Sequence, residues 1–245
     1  MVAGTGCLLL TACQHGPDEL VAPEPSIRTV EQHLAVDLRY GGHTYELASI
    51  YTDAFGHAFK LDTIRFLLSG AHAVSDDGAT LADYPDAYLL VDGADTSNDF
   101  TLGTLTSDHL HGIRFMIGLE PAVNHIAPAN APAPMNNGSM FSGNTSTGYR
   151  FLELMGRADS NGDGAIDMSD QPFAFHCGGD AMLRSSSAPV HTDLPTGGSF
   201  TARLPVDVEK LLTNIDFLNT PSSTGDGPIN AQLMDQLVEA MIQEH

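Results

Sequence analysis

The chain has 245 residues, with 10 Lys plus Arg against 31 Asp plus Glu, a formal net charge of −21. So acidic a surface repels phosphate backbones, which excludes nucleic acid as a partner, and it attracts cations. Apolar residues make up 42% of the chain, which excludes a disordered chain and suits one large all-β domain or two small ones.

The N-terminus reads "MVAGTGCLLLTACQ". Leu10-Thr11-Ala12-Cys13 has the form of a bacterial lipobox, which predicts residues 1–12 as a lipoprotein signal and Cys13 as its lipidated residue. The charged leader is missing and the apolar run Leu8 to Leu10 is short, so the signal reads as truncated at its start. The anchor predicts a membrane-bound protein on the periplasmic side or the cell surface. Gln14, where an Asp retains some lipoproteins at the inner membrane, favours the outer membrane. No other segment approaches ~20 apolar residues, so no membrane span is expected. With Cys7 in the signal and Cys13 lipidated, Cys177 stands alone and no internal disulfide forms. A lone Cys is more often a small buried hydrophobe than a reactive thiol. Residues 13–32, rich in Pro and acid, predict a tether.

A folded domain is predicted over 33–245. "HLAVDLRY" alternates as a strand does, and Gly41-Gly42 reads as a turn into "HTYELASIY". "IRFLLSGAHAV", "AYLLVD", "HGIRFMIGL", "GYRFLELMG", "PFAFHCGG" and "GSFTARLPV" are further runs of branched and aromatic residues, bounded by Gly, Asp and Pro turns such as "SDDG". Seven or more such strands predict an all-β fold, a β-sandwich of antiparallel strands. A short helix is expected at 207–215. A C-terminal helix follows Pro228, with Ile229, Leu233, Leu237 and Met241 in one stripe beside Met234, Val238 and Ile242.

One loop carries metal chemistry in its spacing. In "DSNGDGAIDMSD", Asp159, Asn161 and Asp163 occupy positions 1, 3 and 5 of an EF-hand-type loop, and Gly164 sits at the sharp turn. Ala165 can offer its carbonyl at position 7, Ile166 is the apolar anchor at 8, and Asp167 and Asp170 fill 9 and 12. Calcium takes six to eight hard oxygens, and this spacing wraps them around one point. Asp replaces the usual bidentate Glu at position 12, which predicts modest affinity. The flanking segments read as strands, so the expected ion is structural. An Asp/Asn/Gly-rich polar turn would share the composition.

Taken in order, "DTIRFLLSGAHAV", "AYLLVD", "IRFMIGLEPAVNH", "SMFSGNTSTGYRFLELMG", "FAFHCGG" and "LPVDVEKLL" resemble the MbnP-like family of methanobactin-associated periplasmic copper proteins, from about residue 33 to 245. The resemblance implies a periplasmic or surface β-sandwich with copper as a cofactor, held by His and in some members by kynurenine made from Trp. It also implies a dihaem peroxidase or a copper-uptake component as the kind of protein partner. This chain has no Trp. Where the family carries two, it reads Met140-Phe141-Ser142-Gly143-Asn144, so any copper site must be built on His. His176 stands in the family's "fHiGG" position, and many members place a second His on the first strand, where this chain offers His33, Asp37 and His43. Strand alternation puts Phe173, Phe175 and Cys177 on one face and Ala174 and His176 on the other. A copper ligand and a hydrogen-bonded strand residue ordering Gly178-Gly179 both suit His176.

His109 and His111 form an H-x-H pair that could chelate a metal on a strand face, but the preferred reading of "DHLHG" is a solvent-facing loop before a strand. His57, His72, His125 and His191 are scattered. No G-x-S-x-G, H-E-x-x-H or phosphate-binding glycine loop is present, so a non-enzyme is expected. The two function classes are a metal-binding protein and a calcium-stabilised surface interaction module without copper. A substrate-binding accessory protein is a third.

Overall fold

The structure is a computed structural model that describes Met1 and residues 28–241. The lipobox with Cys13 and the tether as far as residue 27 lie outside the described residues. β1 (Thr29–Tyr40) leads through Gly41-Gly42 into β2 (His43–Thr44), followed by β3 (Tyr51–Thr52) and β4 (Ala58–Val74). β5 (Thr80–Tyr84), β6 (Leu89–Asp92), β7 (Asp99–Thr106) and β8 (His109–Ile117) follow, then α1 (Pro121–Asn124). β9 (Arg150–Ala158), β10 (Gln171–Gly178), β11 (Arg184–Asp193) and β12 (Ser199–Asp207) lead to α2 (Val208–Leu211), β13 (Ser222–Gly225) and α3 (Pro228–Ala240).

The strands form two sheets. In the smaller, β1 lies between β12 and β7, with β2 paired to its end. The larger runs β11-β8-β4-β9-β10-β13, and β3, β5 and β6 also pair with β4. The all-β expectation holds, but the sheets are mixed rather than antiparallel throughout. β1 pairs with β12 and β10 with β13 in parallel. Parallel neighbours need long crossovers, and pairs so far apart in sequence leave no local pattern to read.

Several boundaries differ from expectation. β1 begins at Thr29, inside the segment read as tether, because Val30 is buried and residues 29–35 pair with β7. "HTYELASIY" contributes only β2 and β3, since its middle residues find no strand partner. β11, with three Ser and a Pro, was not read as a strand; it pairs with β8 along Arg184–Asp193. The Gly41-Gly42 turn is as expected, with both residues at positive φ (56° and 79°), the conformation of a two-residue hairpin.

Both sheets contribute to one hydrophobic core, with Leu34 and Val36 from β1 and Phe59, Phe66, Phe115 and Phe151 from the larger sheet. Phe217 closes one end, its ring centroid 4.2 Å from Phe173 and 4.8 Å from Phe59. α2 is capped by the Asp207 carboxylate, which accepts the Glu209 and Lys210 amides. α3 packs against α2, β10 and β11 and buries Leu233, Leu237 and Met241 of the expected stripe with Met234 beside them, while Ile229 and Val238 are half-buried and Ile242 lies outside the described residues. Among the described residues, no helix is long and apolar enough to cross a membrane.

Candidate metal centres

The loop 159–170 joins β9 to β10, so it is a hairpin connection between neighbouring antiparallel strands. Gln171 pairs with Ala158 at its base. The Asp159 carboxylate accepts the amides of Asn161 (3.2 Å), Gly162 (2.6 Å) and Gly164 (2.8 Å). The Gly164 amide leads in holding its pKa below the usual carboxylate range. Gly162 and Gly164 both stand at φ 78°, the left-handed conformation that lets the chain curl round Asp159. Asp163 accepts from Ala165 N and from the Asn161 side chain. Asp167 accepts both the amide and the hydroxyl of Ser169, and the hydroxyl leads in lowering its pKa. Asp170 accepts from Ser160 N (3.1 Å) and Asp167 N (2.8 Å). Arg157 braces the loop by donating to the Met168 and Asp170 carbonyls. Asp159 and Asp170 are buried, while Asp163 and Asp167 are not. Four carboxylates thus share twelve residues.

His176 lies on β10, on the face opposite Phe173, Phe175 and Cys177, as alternation predicts. Cys177 is fully buried, and burial pushes its thiol pKa up to about 12, so it behaves as a small hydrophobe. The His176 Nε2 is shielded from solvent and has no hydrogen-bond partner; Glu153 Oε1 lies 3.4 Å away. Burial, then Arg150, lowers its pKa, and Glu153 opposes them. Both effects favour the neutral ring, the form a metal needs. Glu153 is buried and also accepts from Arg150 Nη1 at 2.8 Å, with Arg65 Nη1 at 3.8 Å.

The two other histidines carried over by resemblance sit elsewhere. His33 is on β1 in the smaller sheet, 3.4 Å from both Glu31 and Asp99. His43 is exposed on β2. Among the described residues, the cluster that gathers three metal-type ligands is Asp76, His111 and His191, without His176, His33 or His43. This corrects the preferred reading of "DHLHG": His109 and His111 begin β8 rather than a loop, because β8 pairs with β11 as far as His109↔Asp193. His191, set aside as scattered, is their neighbour.

Sequence reasoning also missed Asn124 and Asp180, where three of the motifs meet. Fully buried Asn124 accepts the Tyr149 amide at 2.8 Å and donates to Asp180 Oδ1 at 2.8 Å. His125 Nδ1 lies 2.6 Å from the Thr145 carbonyl and Nε2 lies 3.1 Å from Asp180 Oδ2. Both ring nitrogens face acceptors, so the protonated form is favoured; Asp180 leads in raising its pKa. This ring holds the Trp-less 140–149 segment in place rather than offering a lone pair. Gly148, at φ 72°, approaches Asn124 so closely that a Cβ would lie 2.2 Å from Asn124 Oδ1.

The architecture and these clusters define an all-β protein of two mixed sheets with metal-type side chains at its surface. Residues 29–229 match the family model MbnP. The chain belongs to the MbnP family. Its fold is similar to that of MbnP from Methylosinus trichosporium, with a TM-score of 0.52 and 16% identity over 84% of this chain and 83% of that one. No match was found among curated proteins.

Proposed function

We propose that this chain is a lipid-anchored metal-binding protein of the periplasm or cell surface, with a structural calcium ion in loop 159–170 and copper held at His176. The observation that carries the reading is the calcium loop: ligand spacing at positions 1, 3, 5, 7, 9 and 12, with the carboxylates oriented by backbone amides and one short hairpin crowding four negative charges. Asp159, Asn161, Asp163, Asp167 and Asp170 would hold the ion with their side chains and Ala165 with its carbonyl. It would order the β9–β10 connection.

Family membership and the neutral, unpartnered His176 imidazole support copper. With no Trp, no kynurenine can form. His176 and Glu153 are the adjacent pair that would receive the ion. A calcium-stabilised interaction module without copper is the second reading. It is favoured by the placement of His33 in the other sheet, which leaves His176 with a carboxylate rather than a second imidazole beside it. Titration of the chelator-stripped full chain with Cu(I), Cu(II) and Ca²⁺, beside His176→Ala and Asp163→Ala, separates the two. Stoichiometric copper lost in His176→Ala supports the first reading; calcium alone, lost in Asp163→Ala, supports the second. Cys13→Ser tests the anchor: it should release the protein from the membrane fraction.

A further inference from the structure

The end of the larger sheet that carries the β4–β5 turn brings together a carboxylate and three imidazoles from three separate segments. Asp76 comes from the turn, His109 and His111 from β8, and His191 from β11. Ser75 Oγ donates to Asp77 at 2.5 Å and Ala79 N to the same carboxylate at 3.1 Å, which fixes the turn that presents Asp76. The β8–β11 register breaks between Pro189 and Thr192, and His191 stands there at φ 44°, unusual for a side chain with a Cβ. The break turns His191 toward β8, its ring centroid 5.0 Å from His109 and 5.6 Å from His111.

Three donor atoms face one another, those of Asp76, His111 and His191. Asp76 Oδ1 lies 3.0 Å from His111 Nδ1, 3.3 Å from His191 Nδ1 and 3.5 Å from His109 Nε2. The two Nδ1 atoms of His111 and His191 are 3.5 Å apart. Ligands at ~2.0–2.1 Å from a tetrahedral ion are separated from one another by ~3.4 Å, close to the 3.0, 3.3 and 3.5 Å among Asp76 Oδ1, His111 Nδ1 and His191 Nδ1.

Hydrogen bonding alone accounts poorly for the arrangement. One carboxylate oxygen cannot accept well-directed bonds from three ring nitrogens. His109 Nδ1 lies 2.9 Å from Asp193 Oδ1, and since the carboxylate only accepts, the proton sits on Nδ1. The other ring nitrogen, Nε2, lies 3.5 Å from the Asp76 carboxylate, so both ring nitrogens face acceptors. Nε2 is shielded from solvent, has no hydrogen-bond partner, and points at the Asp76 oxygen.

We propose that His111 Nδ1, His191 Nδ1 and Asp76 Oδ1 form a site for a borderline divalent ion of the zinc class, with the remaining position open to water. The donor set of two imidazoles and one carboxylate suits such an ion rather than calcium. The site is separate from loop 159–170 and from His176 and does not depend on either.

The test is calorimetric titration of the chelator-stripped full chain with Zn(II), and with Co(II) for its visible tetrahedral spectrum. One equivalent should bind. His111→Ala/His191→Ala should abolish it, and Asp76→Asn, which removes the charged ligand of the group, should weaken it. His176→Ala and Asp163→Ala should bind as the wild type. The replaced side chains are partly or fully exposed, and melting temperatures without metal check that each variant is folded. Absence of zinc binding in the wild type, zinc binding unaffected by the double substitution, or zinc lost only in His176→Ala would each overturn the assignment.

Discussion

Replacing Asp163 with Ala separates a metal ligand from an ordinary turn residue. Asp163 is exposed, and its carboxylate accepts only from Ala165 N and the Asn161 amide, groups that water can satisfy instead. Without metal the substitution should therefore change stability by no more than about 0.5 kcal/mol. With metal the balance changes. A site with a Kd of roughly 10 µM, in the middle range for such loops, is filled 100-fold over its Kd at about 1 mM Ca²⁺. Binding to the folded state alone then adds about 2.7 kcal/mol. For a domain of this size that raises Tm by about 5–10 °C. The assay is thermal unfolding of wild type and Asp163→Ala in chelator and in ~1 mM Ca²⁺. The wild type should gain that increment and the variant should lose most of it, while the two melt together in chelator. A wild-type Tm indifferent to calcium, or equal destabilisation of the variant in both buffers, would refute the calcium assignment.

Other predictions follow from the packing and the charge pairs. Phe217→Ala removes a fully buried ring stacked on Phe173 and should cost about 3–5 kcal/mol, read as a lower urea midpoint at constant m-value. Glu153→Gln removes the carboxylate that holds the His176 pKa up, so His176 should titrate at lower pH by NMR, and Arg150 should lose its 2.8 Å ion pair. The His125–Asp180 pair has a raised His pKa and a lowered Asp pKa. The His contribution is fully present below pH 6.5 and is lost as pH rises through the higher folded value; the Asp contribution is present above pH 3.8 and is lost as pH falls through the lower one. The Tm gap between wild type and Asp180→Asn should therefore be widest near pH 5–6 and narrower at pH 9.

Local patterns were legible in the sequence, and long-range meetings were not. β10 and β12 show as branched and aromatic runs because each buries one face against the core, and β9 because Phe151 to Leu154 are buried on both faces. β11 does not, since its Ser and Pro side chains mostly face outward and its partner β8 supplies the apolar residues. The parallel pairing of β1 with β12 spans more than 150 residues and leaves no local trace. The same contrast separates the metal sites. The loop 159–170 could be read directly because all its ligands fall within twelve residues at fixed spacing. His111 and His191 are 80 residues apart, and Asp76 is 35 from His111; only the sheet register and the break at His191 bring them together. Asn124 and Asp180 stayed hidden because each is an ordinary polar residue until the Tyr149 amide and His125 are placed beside it.

The most direct test of the account as a metal-binding protein is the metal content of the full chain, purified without chelator and measured by mass spectrometry against protein concentration. The account predicts about one calcium per chain through the twelve-residue loop, together with copper that is lost in His176→Ala. A wild-type chain that holds neither calcium nor copper above trace levels, even after incubation with each ion, would contradict it.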